Sequence, residues 1–254
     1  MDEVVGAIAG GRSVVALDHI RQRTDGVIGV LERDGAIVAL CAHRCDIASL
    51  PDLDSLRALE RLDVGGNRLQ ALPALPASLR ELYVDDNRLV ALPALPALRV
   101  LDANRNQLAS LPPLADIVFV YAASNRLASL PAITGVRYLN VGGNPLEAID
   151  SLGDAALVEL RMEDARLAAV PEPVRRLTAL RELHLRGNAI ESLPSWIGEL
   201  ASLEVLDVRG NRLDDVPDSL IARPLRKLDL RWNPLRRSRP QLATLAARGC
   251  LVYL

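Results

Sequence analysis

The chain has 254 residues and a formal net charge of −2, a balance that offers no general attraction to nucleic acid or to an anionic membrane. Half of it is hydrophobic but only 3% is aromatic, so leucine, alanine and valine must fill the core. Lys227 is a single lysine among many arginines, which reads as compositional bias and not as chemistry. Three cysteines without an evident pairing fit a reducing compartment. No stretch approaches the ~18 uninterrupted apolar residues of a membrane span, and no secretory signal is visible at the start.

Residues 1–36 carry no repeat. Ser13 is expected to cap a helix with Val14, Leu17 and Ile20 on one face, ended by Thr24-Asp25-Gly26. Val27–Glu32 reads as a strand, Arg33-Asp34-Gly35 as a turn, and Ala36–Ala42 as the next strand. The region is read as an N-terminal cap covering the hydrophobic end of an array. A secretion or targeting tail is the rival reading.

A fixed frame then begins, clearest in Leu79–Pro93, LRELYVDDNRLVALP. With Asn87 as the reference slot, Leu79, Leu82 and Val84 precede it and Leu89 and Leu92 follow. The same frame fits Asn67, Asn106, Asn125, Asn144, Asn188, Asn211 and Asn233, and Cys45 and Ala165 fill the slot in two further units. Steps between slots run 22, 20, 19, 19, 19, 21, 23, 23 and 22 residues. Each unit opens with a short strand, such as Leu82-Tyr83-Val84, whose side chains alternate between core and surface. The asparagine stands where the chain turns away, and its amide can satisfy backbone groups of its own and the neighbouring turn. Cys45 substitutes as a weak S–H donor. Ala165 is expected to leave a blank rung that Ala165→Asn would restore.

The early connections, PALPAS (Pro73–Ser78) and PALPA (Pro93–Ala97), oppose a helix and favour extended backbone. The later ones, Pro171–Leu180, Pro194–Leu203 and Pro217–Leu225, place proline near a helix start and predict one or two helical turns. Pro240–Arg248 reads as a last helix stopped by Gly249, and Cys250–Leu254 as a closing strand.

These motifs resemble the leucine-rich-repeat family over about residues 37–254. The short units with LPxLP connections look like the bacterial YopM and IpaH effector type; the longer ones resemble the widespread 23-residue class. The resemblance implies an α/β solenoid, a right-handed superhelical horseshoe with a concave parallel β-sheet of about 10 repeats. It is expected to form one domain over residues 1–254, with caps at 1–36 and 240–254 around repeats at 37–239. It also implies a concave face that binds a protein. IpaH-type ligase activity is not carried over, because the chain closes on its cap strand.

Side chains six, four and two residues before each slot should face outward on that sheet. Tyr83, Phe119, Tyr121 and Tyr138 fall there, with Asp85, Asp102 and Asn104 flanking them. Exposed aromatics on a rigid sheet are common anchors of protein recognition, although aromatics also suit any strand. Gly65, Ala123 and Gly142 should leave room for a partner's side chain. Arg186, Arg209 and Arg231 form a row that either grips an acidic partner or pairs with the neighbouring Asp207 and Asp229.

Cys41, His43 and Cys45 look at first like metal ligands, but Cys45 belongs to the ladder and no fourth ligand follows. No nucleophile elbow, phosphate loop or dinucleotide motif is present, so no catalytic residue, metal or cofactor is expected. The leading expectation is a monomeric protein-interaction module of bacterial type, cytoplasmic or delivered into a host cell, with no small-molecule substrate and no membrane. One alternative is polyanion binding by the C-terminal arginines, Arg236, Arg237 and Arg239 included; another is self-assembly through strand edges.

Overall fold

The structure, a computed structural model, describes residues 6, 8, 10, 12–94, 97–147, 149, 152, 156–235 and 240–254. The chain winds through about ten repeats and forms two compact units, Met1–Arg126 and Leu127–Leu254.

In the first unit, β1 (Val14–Ala16), β2 (Ile28–Arg33), β3 (Ala36–Cys41), β4 (Arg61–Asp63), β5 (Glu81–Tyr83), β6 (Val100–Asp102) and β8 (Phe119–Tyr121) line up in one sheet. The two-residue strand β7 (Leu114–Ala115) lies in the connection between β6 and β8. From β3 onward the pairing is parallel and in register, running Leu40, Leu62, Leu82, Leu101, Val120 across the strands. Those five side chains are fully or almost fully buried. Burying each is worth about 1.5–3 kcal/mol relative to exposure, and only stacking neighbours makes that burial available.

The cap differs from the expected helix. Val14–Ala16 is a strand, parallel to β2. Two consecutive β-branched valines lose little by extending, and the edge of β2 offers main-chain partners: the Leu17 N–H donates to the Val30 carbonyl (2.9 Å) and the Ile28 N–H to the Ser13 carbonyl (3.1 Å). Leu17 is still buried, against Ala39 and Cys41, with Ile20 and Leu31 beside it. β2 and β3 form an antiparallel hairpin. Its turn residues Asp34 and Gly35 both have positive φ, 52° and 74°, as two-residue hairpin turns require.

The second unit holds β10 (Tyr138–Asn140), β11 (Glu159–Arg161), β12 (Glu182–His184), β13 (Val205–Asp207), β14 (Lys227–Asp229) and β15 (Leu251–Tyr253), all parallel. β9 (Ile133–Thr134) precedes them. Short 3₁₀-helices, Glu172–Arg176 and Ser195–Glu199, and one α-helical turn, Asp218–Ile221, follow Pro171, Pro194 and Pro217. Pro73–Ser78 and the described part of Pro93–Ala97 form no helix. The final helix is Pro240–Ala247, with Gly249 at φ 91° beyond it. Among the described residues no helix is long and apolar enough to cross a membrane.

The ladder has the expected chemistry. Asn87 Nδ2 donates to the carbonyls of Val84 and Asp85 in its own turn (3.1 and 3.2 Å) and of Val64 in the preceding one (3.0 Å), while its Oδ1 accepts the Leu69 N–H (2.9 Å). Asn106 and Asn125 repeat the pattern, as do Asn188, Asn211 and Asn233 in the second unit.

A second column runs beside it. The residue before every slot has positive φ: Arg44, Gly66, Asp86, Arg105 and Ser124 in the first unit, Gly143, Asp164, Gly187, Gly210 and Trp232 in the second, between 51° and 69°. Each turn therefore needs one left-handed residue, which glycine supplies without strain.

The two repeats that lack the asparagine turn differently, which corrects the expectation that Ala165 merely leaves a blank rung in a turn of the ordinary form. The residue after the slot, Asp46 or Arg166, is also left-handed (φ 52° and 60°). The next asparagine then accepts two N–H groups instead of one. Asn67 Oδ1 takes those of Cys45 and Ile47, and Asn188 Oδ1 those of Ala165 and Leu167, all at 3.0 Å. Below Ala165, the Leu146 N–H that an asparagine carbonyl would have accepted closes instead on the Asn144 backbone carbonyl (2.9 Å).

Candidate functional site

Alternation along each three-residue strand buries the central leucine or valine and turns the outer two side chains to the open face of the sheet. In the first unit that face is divided. The side toward the cap is tied up by the protein's own charges. Arg23, from the loop between β1 and β2, donates through Nε to Asp63 Oδ2 (2.7 Å) and through Nη2 to Asp63 Oδ1 and Asp85 Oδ1 (both 3.3 Å). Burial works against the Arg23 charge, but the hydrogen bond and charge of Asp63 outweigh it and hold the guanidinium pKa above its ordinary value. Arg61 donates to Glu81 Oε2 (2.7 Å), and its guanidinium lies 4.0 Å from the centre of the Tyr83 ring. The Tyr83 hydroxyl donates to the same Glu81 oxygen (3.2 Å).

Tyr83 and Asp85 thus stand on the expected face but are engaged within the molecule, and Asp85 is buried. The room expected at Gly65 is filled: a Cβ there would meet the Asp85 carboxylate and the His43 ring. At Gly142, in the second unit, it would meet the Glu163 backbone. Both positions are small because neighbours occupy the space, not because a partner needs it.

Farther from the cap the face opens. Tyr83, Asp102 and Tyr121 are direct neighbours in register on β5, β6 and β8, and Val100 pairs with Phe119 on the same face. Phe119 is 42% exposed and Tyr121 half-buried. Asn104 is largely structural, its Oδ1 accepting the Ala123 N–H (2.7 Å). The Asn104 N–H donates to Asp102 Oδ1 (3.2 Å). Burial pushes the Asp102 carboxyl up to about 6; that hydrogen bond opposes the rise, and the charge of Asp85 adds to it.

In the second unit Tyr138 is half-buried on β10, in register with Glu159. The arginine row is largely neutralised. Arg209 donates through Nε and Nη2 to Asp207 (2.6–3.0 Å) and Arg231 in the same way to Asp229 (2.8 and 3.0 Å), while Arg186 reaches Asp164 only at 3.9 Å. Burial would raise the Asp229 pKa, but the hydrogen bonds from Arg231 and the charge of Arg209 hold it below the usual carboxylate range. Arg236, Arg237 and Arg239 lie outside the described residues.

Of two further features, the first had no sequence signal and the second only its place in the outward columns. Arg23 sits in an irregular loop. Glu159, Glu182 and His184 bring ligand atoms within 4.8 Å of one another, but Arg161 Nε already donates to Glu159 Oε1 (2.6 Å) and His184 Nε2 lies 3.2 Å from Glu182 Oε2, so a cation would compete with resident partners. Cys41 and Cys45 are turned to separate tasks: the Cys41 sulfur accepts the Thr24 N–H (3.3 Å) and the Cys45 thiol donates to the His43 carbonyl (3.5 Å).

Residues 178–222 match the family model of leucine rich repeats (2 copies). Nothing matches among curated protein sequences. Among solved structures, YopM, a leucine-rich effector protein from Yersinia pestis, is 29% identical, with 75% of this chain covering 59% of that one at a TM-score of 0.57. A TDR receptor is 22% identical, over 80% of this chain and 40% of its own, at 0.66. A chain from an octameric complex of Latrophilin 3, Unc5D and the repeat part of FLRT2 is 19% identical, over 78% and 82%, at 0.60. With the ten-unit frame and the asparagine ladder, these matches define the class: the chain carries leucine-rich repeats and has the leucine-rich-repeat fold. That fold supports protein–protein interaction in general. The chain spans less than two thirds of YopM and of the TDR receptor.

Proposed function

We propose that the chain is a protein-recognition module whose first unit binds a folded protein or an extended peptide on the open face around Phe119, Tyr121 and Asp102. The observation that carries this is the division of the face: the half near Arg23 and Arg61 is closed by internal ion pairs, and β8 presents an exposed phenylalanine beside a half-buried tyrosine. Such rings on a fixed strand offer large contact area at small entropic cost. Tyr138 offers a similar ring on the second unit and is a separate candidate. Likeness to YopM, which is described as an effector, favours delivery into a host cell over a purely bacterial role. The polyanion reading loses ground where arginines are described, because Arg209 and Arg231 already hold aspartates.

Affinity capture followed by calorimetry tests the proposal. Tyr121→Ala should weaken the captured partner by about 2 kcal/mol or more with the circular dichroism spectrum unchanged, and binding should respond little to salt. Binding that is unaffected by Tyr121→Ala but falls steeply with salt would favour a polyanion ligand instead.

A further inference from the structure

The same outward strand position, four residues before the slot, holds two aspartates in each unit, and three of the four have a resident cation. Asp63 takes Arg23 and Arg61, Asp207 takes Arg209, and Asp229 takes Arg231 and Arg209. Asp102 is different. Its described hydrogen bond is the one from the Asn104 N–H, and among the described residues no ion pair reaches it. It lies between Tyr83 and Tyr121, its register neighbours on either side, with strands ~4.8 Å apart. Its own strand adds Val100 and Asn104 to this face, and β8 contributes Phe119, Tyr121 and Ala123, none of them charged. On the other side stand Glu81 of β5 and Asp85 just after it, and Arg23 and Arg105 act on Asp102 by charge without pairing with it. Arg61 already covers the Tyr83 ring, so a half-buried carboxylate beside the Tyr121 ring is complementary to a cation on an apolar stem, which gains from both the charge and that ring.

We propose that Asp102 receives a lysine or arginine side chain of the protein partner, seated beside Tyr121. This rests on the protein-binding reading and adds the chemistry of the contact. Burial is the main cause of the upward shift of the Asp102 carboxyl to about 6, and the charges of Arg23 and Arg105 oppose it without pairing with the carboxylate. The uncharged β8 side favours a cation that brings its own hydrocarbon, and Asp85, already held by Arg23 and 3.8 Å from Arg105, does not compete for it.

The test is selection of displayed random 12-residue peptides on the full chain, in parallel on wild type, Asp102→Asn, Asp102→Glu and Tyr121→Ala, each checked for folding by its thermal midpoint. Wild type should enrich peptides with a recurrent lysine or arginine. Synthetic peptides from that pool should bind Asp102→Asn at least tenfold more weakly and Asp102→Glu much as wild type, and replacing the basic residue with norleucine should cost about as much as Asp102→Asn. Peptides that enrich without a basic residue, or bind Asp102→Asn as wild type does, overturn the proposal; if they still depend on Tyr121, the broader protein-binding reading survives. Absence of enrichment on wild type counts against both.

Discussion

Arg23 lies 2.7 Å from Asp63, forty residues along the chain, with its guanidinium against a carboxylate that is 0% exposed. This contact fastens the cap loop to the sheet. Removing one partner of a buried pair is costly because the other stays desolvated, although Arg61, at 3.4 Å, remains to share the Asp63 charge. Arg23→Ala should therefore lower stability by about 2 kcal/mol, read as a drop in the urea midpoint. A change indistinguishable from zero would mean the cap is held by its strands alone.

The altered turn at Ala165 makes Asn188 unusually burdened, since its Oδ1 accepts two N–H groups and its Nδ2 serves Met162 and Leu185. Asn188→Ala should cost about 3 kcal/mol or more, because several buried groups lose partners at about 1–3 kcal/mol each. Asn106→Ala, whose oxygen accepts one N–H, should cost less. Equal losses in denaturant unfolding would contradict the two-bond role.

The left-handed position of Arg166 makes a further demand. Arg166→Gly should raise stability by up to about 1 kcal/mol, the relief of a strained φ less the entropy that glycine adds to the unfolded chain. Ala165→Asn alone should be neutral or destabilising, because the Leu146 N–H has already found another acceptor. A clear gain from Ala165→Asn in the same unfolding assay would show that the turn can revert to the ordinary form.

Asp102 gives a pH dependence with a definite sign. Its folded pKa, about 6, lies above the value near 3.9 expected when unfolded. The stabilising contribution of this group is therefore complete below about pH 4 and lost as pH rises through about 6. Asp102→Asn, which stays neutral, should gain on wild type over that window and level off at about 2 kcal/mol, at about 1.36 kcal/mol per unit less a discount for partial exposure. Thermal midpoints between pH 4 and 7.5 check this, and a constant offset would refute it.

Most of the fold was legible because one period fixes so much. Once Asn87 is the slot, Leu82 must face inward and Tyr83 outward, and the structure agrees. The helical turns after Pro171, Pro194 and Pro217 were readable for the same reason: proline sets the first dihedral. What stayed hidden lies off the period. The Val14–Ala16 strand depends on a free edge of β2, which no local pattern reports. Arg23 reaches its partner through a loop without repeat spacing. The filling of Gly65 by His43 and Asp85 depends on side chains from adjacent units. For the candidate site, the period placed Phe119 and Tyr121 on the face but could not tell that Tyr83 was already in use while Asp102, among the described residues, had no ion-pair partner.

The hairpin between β2 and β3 has one more consequence. Every strand from β3 onward in the first unit runs the same way, but β2 runs against β3 and β1 follows β2. A new repeat spliced in ahead of β3 would meet a template of the opposite sense, whereas one duplicated between β4 and β8 would find matching neighbours on both sides. The array is thus polar in how it can lengthen. Its ancestry should be sought in internal duplications, and engineering that adds units should insert them within the parallel run, leaving the reversed strand as a fixed starting block.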